Sequence, residues 1–179
     1  MSVQAIRIIG DPVLTQRAAD VVDVDGRLAR IVEDMFATMY DAPGVGLAAP
    51  QIGVQQRFFV FDHDDRPGVV INPVIVESRG EAAFTEGCLS IPGLSFEIVR
   101  PAEIHVKGYD LAGNELDLEL DDFACRVFQH EIDHLDGILL ESHLSDEQMN
   151  DARATLRMLR ERGIGRLPEP EVGRGLRLP

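Results

Sequence analysis

The five residues His130-Glu131-Ile132-Asp133-His134 constrain this chain more than any others. Two histidines four apart lie on one face of a helix, so both imidazoles can reach a single ion. A fold that uses them must bury a polar helix face and bring a further ligand to it from elsewhere. The flanks agree with a helix over about 122–136, closed by Gly137 just beyond Leu135 and Asp136. Glu131 adjoins the first histidine and faces the same cleft without having to bind, where a carboxylate can take a proton from a coordinated water. The plainer reading is a polar helix face that happens to carry two histidines.

The pattern around that helix is mixed. Leu28, Ile31, Val32, Met35 and Met39 fall at helical spacing, Asp25 is placed to cap them, and Asp41-Ala42-Pro43-Gly44 ends the run with turn chemistry. Phe58–Phe61 and Val69–Ile71 are short apolar runs of the kind buried strands show. Residues 103–107 and 115–120 alternate polar and apolar with period two, and Leu111-Ala112-Gly113-Asn114 between them reads as a hairpin loop. A last helix starts at Ser145, where Ser145-Asp146-Glu147-Gln148 matches a capping box, and runs to near Gly163. These signals predict an α+β fold: mostly antiparallel sheet packed around a central metal-binding helix, with flanking N- and C-terminal helices. Residues 1–166 are expected to form one catalytic domain. The Pro- and Gly-rich segment 167–179 is expected to be an extended or mobile tail.

A length of 179 residues suits one core, and 45% hydrophobic with 27% charged residues is an ordinary globular balance. No stretch reaches the roughly 18–20 apolar residues of a membrane span. The first seven residues lack the apolar centre of a secretory signal, so a cytoplasmic protein is expected. A formal net charge of −14 argues against broad or specific DNA binding. Residues 151–179 run the other way, with seven Arg against four acids. That segment reads as a solvated helix and tail, or as a weak docking element for an anionic partner.

A catalytic site built on the two histidines needs a third protein ligand and an open position for water. Cys88, His105 and several carboxylates upstream can all ligate. Cys88 lies in Glu86-Gly87-Cys88-Leu89-Ser90-Ile91-Pro92, read as a rigid loop in which Gly87 permits close approach and Pro92 fixes the exit. Its plain reading is a buried small hydrophobe, and Cys125 is read that way. One thiolate with two imidazoles is a borderline-soft set, suited to Zn²⁺, Fe²⁺, Ni²⁺ or Co²⁺. A third segment, Gly44-Val45-Gly46-Leu47-Ala48-Ala49-Pro50-Gln51, is not a phosphate loop, because no Lys or Ser/Thr follows in place. Its glycines suit close backbone approach, and Gln51 carries an amide donor that a developing oxyanion could use.

Taken together, Gly44–Gln51, Glu86–Ser90 and Gln129–Gly137 resemble peptide deformylases in order and spacing. The likeness runs from about residue 5 to residue 145, including Ile9-Gly10-Asp11-Pro12-Val13-Leu14. The resemblance implies removal of the N-formyl group from the starting methionine of nascent proteins, with release of formate. It implies that Cys88, His130 and His134 bind one divalent metal, usually Fe²⁺ and replaceable by Zn²⁺, Ni²⁺ or Co²⁺. It makes Glu131 the general base and acid, and Gln51 and the backbone N–H of Leu89 the oxyanion donors. N-formylmethionyl peptides would lie along Gly44, Val45 and Gly46 opposite Glu86 and Gly87, with Val45, Phe123 and Val127 walling the methionine pocket. Some bacterial members dock a basic C-terminal helix on the ribosome, and the Arg-rich end here is compatible with that. Two features depart from the family: the tail matches no motif, and Arg126 stands where some members carry an apolar pocket residue. Two other readings compete. A His-Glu-x-x-His metallopeptidase would cut internal peptide bonds, and an inactive metal-binding relic would have lost its base, whereas Glu131 is present. A structural zinc site would need a fourth ligand, and Cys125, five residues before His130, points elsewhere.

Overall fold

The computed structural model describes residues 2–162. Seven strands and three α-helices are present among them. Strands β1 (Gly46–Ala48), β2 (Phe58–His63), β3 (Arg66–Arg79), β6 (Glu103–Tyr109) and β7 (Glu115–Leu120) form one antiparallel sheet in the order β1-β2-β3-β6-β7. Strands β4 (Ala82–Cys88) and β5 (Ile91–Arg100) form a separate hairpin. The helices are α1 (Gly26–Asp41), α2 (Asp122–Leu135) and α3 (Asp146–Glu161). The expected α+β architecture is therefore observed. The expected domain end at 166 and the tail 167–179 lie outside the described residues.

Period-two alternation sorts the sheet into two faces. Phe58, Val60 and Ile71 point to the side of α1 and pack with its Leu28, Val32, Met35 and Met39. Phe59 and Val70, with Ile104 and Val106, point to the other side and meet Cys125, Phe128, Ile132 and Leu135 of α2. Phe128 stands edge-on to Phe59, with ring centroids 5.1 Å apart. Helix α3 buries Ala152, Leu156 and Leu159 against Ile91 and Ile98 of the hairpin, and against Ile9 and Leu14. Helix α2 thus lies between the sheet and the hairpin, which is where a polar face can be enclosed.

The local signals act as expected at the helix ends. Asp25 Oδ1 accepts from the N–H groups of Arg27 and Leu28, both at 2.9 Å. Ser145 and Gln148 form both halves of the capping box. Gly137 has φ +74°, and a Cβ there would stand 2.8 Å from the backbone of Thr15, so this end of α2 needs glycine for two reasons.

The expected rigid loop at Glu86–Pro92 is a correction. Residues 86–88 are the end of β4, and only Leu89 and Ser90 turn the chain into β5. The overlooked sign was the alternation of Leu94, Phe96 and Ile98 with Ser95 and Glu97, masked by the turn-forming Pro92 and Gly93. A Cβ on Gly87 would meet nothing closer than 3.8 Å, so close packing does not demand glycine there.

Candidate metal centre

Helix α2 presents His130 and His134 on one face, with ring centroids 5.1 Å apart. The end of β4 brings Cys88 to the same point, and one ligand atom from each of the three lies within 4.8 Å of the others. Cys88 Sγ is 3.2 Å from His134 Nε2. Usual zinc–sulfur and zinc–nitrogen lengths at a tetrahedral angle would separate two such donors by ~3.6 Å. The contact is a little shorter than that, and the three donors lie close enough together for one ion to engage all of them. Burial raises the Cys88 thiol, but the imidazoles of His134 and His130 outweigh it and hold the thiol well below its ordinary range. His105, the upstream histidine named above as a candidate ligand, is on β6 and pairs with Asp117 instead.

His130 Nδ1 is 2.9 Å from Glu86 Oε2. An ionised carboxylate only accepts, so this contact gives Nδ1 the hydrogen and leaves Nε2 for the cluster. Burial opposes ionisation of Glu86, yet hydrogen bonds from His130 and Arg100 prevail and hold its pKa at about 2. Arg100 donates to both Glu86 oxygens, at 2.8 and 3.1 Å, and reaches Asp133 Oδ2 at 2.6 Å. His143 meets the same Asp133 oxygen at 2.7 Å. Glu86 was expected on the substrate side. It does line the cleft, but its carboxylate is turned to His130, Arg100 and Arg126.

Glu131 is 4% exposed, and its Oε2 has no hydrogen-bond partner among the described residues. Burial raises its pKa to about 7. A buried carboxylate with a free oxygen and that pKa is suited to accept and return a proton near neutrality. Gln51 is 2% exposed in the short turn after β1. Its Oε1 accepts from Ala48 N–H at 2.8 Å, and its Nε2 donates to Ser90 Oγ at 3.1 Å. These two bonds fix the amide orientation and leave one N–H of Nε2 uncommitted. Ser90, fully buried, was missed by the sequence reading, which had no periodic signal to find it.

A cleft of about 730 Å³ opens over these groups. Gly44, Val45 and Gly46 form one side, and Gly87 and Leu89 the other. Val127 is buried in the wall, whereas Val45 and Phe123 stand about two-fifths exposed at the mouth. Every residue expected to touch metal or substrate lines this cleft except His134, which lies behind it against Cys88.

The polypeptide deformylase family model matches residues 3–150 of the chain. The chain belongs to the peptide deformylase family. Peptide deformylases are metal-dependent enzymes that remove the N-formyl group from nascent peptides. A peptide deformylase of Acidothermus cellulolyticus is 42% identical, over 98% of this chain and all of its own. Peptide deformylase 1 of Corynebacterium efficiens is 48% identical over 88% of this chain and 96% of its own. The crystal structure of peptide deformylase from Thermus thermophilus superposes with a TM-score of 0.84 at 47% identity, covering 89% of this chain and 98% of that one.

Proposed function

We propose that Cys88 Sγ, His130 Nε2 and His134 Nε2 hold one divalent ion, natively Fe²⁺, and that Glu131 carries the proton in deformylation of N-formylmethionyl peptides. The convergence of those three donors within 4.8 Å, beside a buried carboxylate, carries this reading. The donor set also accommodates Zn²⁺, Ni²⁺ or Co²⁺. When bound, the ion supplies a Lewis acid and lowers the pKa of a water it carries.

The protein's own groups do the rest. Glu131 takes the proton of the attacking water and delivers it to the departing amine nitrogen as the C–N bond of the formamide breaks. The uncommitted N–H of Gln51 and the backbone N–H of Leu89 donate to the formyl oxygen as negative charge grows there. The peptide lies extended beside Gly44–Gly46, whose small residues leave room for another backbone, with Gly87 across the cleft. Val127, Val45 and Phe123 receive the methionine side chain, desolvating it. Glu86 keeps His130 in the tautomer that offers Nε2 to the ion.

No helix of the described residues is long and apolar enough to cross a membrane. We place the protein in the cytoplasm, where nascent chains emerge. A ribosome contact through α3 would draw on arginines that already have partners, since Arg153, Arg157 and Arg160 bond to Asn150, Glu161 and Glu141.

Formate release from formyl-Met-Ala-Ser, measured beside cleavage of a peptide blocked at both ends, tests the reaction. Formate release with the blocked peptide intact is expected. Cleavage of the blocked peptide would make the chain a metallopeptidase, and neither activity with one ion bound would make it a metal-binding relic.

A further inference from the structure

Arg126 is 4% exposed on α2, four residues before His130 and thus on the same helix face. Its position in the cleft wall would suggest a pocket residue, but its guanidinium is committed elsewhere. Nη1 donates to Glu86 Oε1 at 2.9 Å and to the Ile98 carbonyl at 3.4 Å. Nη2 donates to the Ala82 carbonyl at 2.7 Å. The guanidinium carbon lies 5.1 Å from the centre of the Phe84 ring. One side chain from the histidine helix therefore grips both strands of the hairpin that carries Cys88, together with the carboxylate that orients His130.

The arrangement divides the labour on Glu86. Oε2 faces His130 and Arg100 Nη2, while Oε1 is held by Arg100 Nε and by Arg126. Arg100 and Arg126 together balance Glu86 and Asp133, so the network is neutral before the two histidines that touch it, His130 and His143, are counted. A carboxylate anchored from two directions cannot rotate away from Nδ1. Without Arg126, the hairpin loses its only side-chain grip from α2 on Ala82 and Ile98 among the hydrogen bonds of the described residues.

We propose that Arg126 is a positioning residue of the metal centre: it clamps the Cys88 hairpin onto α2 and fixes Glu86 against His130, so that thiolate and imidazoles are set at binding distance before an ion arrives. The proposal rests on the reading of Cys88, His130 and His134 as ligands. Loss of a partner that orients a metal ligand typically weakens metal binding about 10–100-fold. Arg126 acts one step further out, so about tenfold weaker binding is expected when it is removed.

The test is the Co²⁺ dissociation constant of the full chain, by competition with a chromophoric chelator, for wild type, Arg126→Met, Arg126→Lys and Glu86→Gln, alone and with Arg126→Met. The absorption spectrum of the bound Co²⁺ reports the thiolate ligand directly. Wild type binds one Co²⁺ with a thiolate signature. Arg126→Met binds about tenfold more weakly. Arg126→Lys falls between, since an ammonium can reach Glu86 or a carbonyl but cannot fork across all three. In the Glu86→Gln background, Arg126→Met costs less than it does alone, because part of its action is through that carboxylate. A wild type without Co²⁺ binding would overturn the ligand set and this inference with it. Wild-type binding with an unchanged or tighter Arg126→Met would overturn the clamp alone, the tighter case meaning that Arg126 acts only by its charge. Should Arg126→Met fail to fold, Arg126→Lys carries the same test, and wild-type affinity there would reject the three-way grip.

Discussion

A methyl group at position 46 would stand 2.9 Å from Cδ of Glu131. Glycine at that place in β1 is what lets the carboxylate lie flat against the strand, buried and poised over the cluster. In Gly46→Ala, either the strand or the carboxylate must give way. Displacing a reacting group by about 1 Å costs on the order of 10²-fold in rate. We expect kcat/KM for formyl-Met-Ala-Ser to fall by roughly that factor, with bound metal unchanged, because the atoms nearest to that methyl belong to Glu131 and not to a proposed ligand. Turnover within twofold of wild type would show that Glu131 is not held by this contact. Position 44 has a similar constraint, since a Cβ there would be 2.9 Å from Leu89 Cδ1. The two glycines keep the strand edge bare where substrate is proposed to lie.

At the scale of elements, α1 offers a test of its cap. The Asp25 carboxyl accepts the Leu28 and Arg27 N–H groups, and the Leu28 bond chiefly holds its pKa below the ordinary 3.8. A carboxyl depressed by folding contributes stability that is full above 3.8 and lost as pH falls through the lower folded value. Asp25→Asn retains an acceptor oxygen but does not titrate. The pH dependence of the thermal midpoint below 3.8 should therefore be shallower in Asp25→Asn than in wild type. An identical acid slope would remove the cap from the account. This cap was readable from the sequence, as was the one at Ser145, because caps act over three or four residues. Helix α2 was readable too, since His130 and His134 obey helical spacing. The hairpin β4–β5 was not, because its strands alternate weakly and its turn residues resemble a loop. Nor could spacing show that Glu86 would meet Arg100, Arg126 and His130, which lie 14, 40 and 44 residues away. That network exists only once the hairpin is folded onto the helix.

Across the whole molecule, the metal centre sits where two separately built layers meet. The five-stranded sheet supports α2 from one side, and the hairpin, backed by α3, delivers Cys88 from the other. Neither layer contains the site by itself, and Glu86 with its two arginines joins them at the charged seam. Glu131 belongs to the sheet side of that seam, facing Gly46 rather than the ligand-orienting network. Its loss should therefore stop the chemistry without emptying the site. The most direct measurement is formate release and metal content in one sample of Glu131→Gln, purified anaerobically beside wild type. About one metal per chain is expected in both, with turnover lower by about 10²–10⁴-fold in the variant. A variant that loses the metal together with its turnover would make Glu131 a ligand, and one that keeps both would contradict its role as the proton carrier.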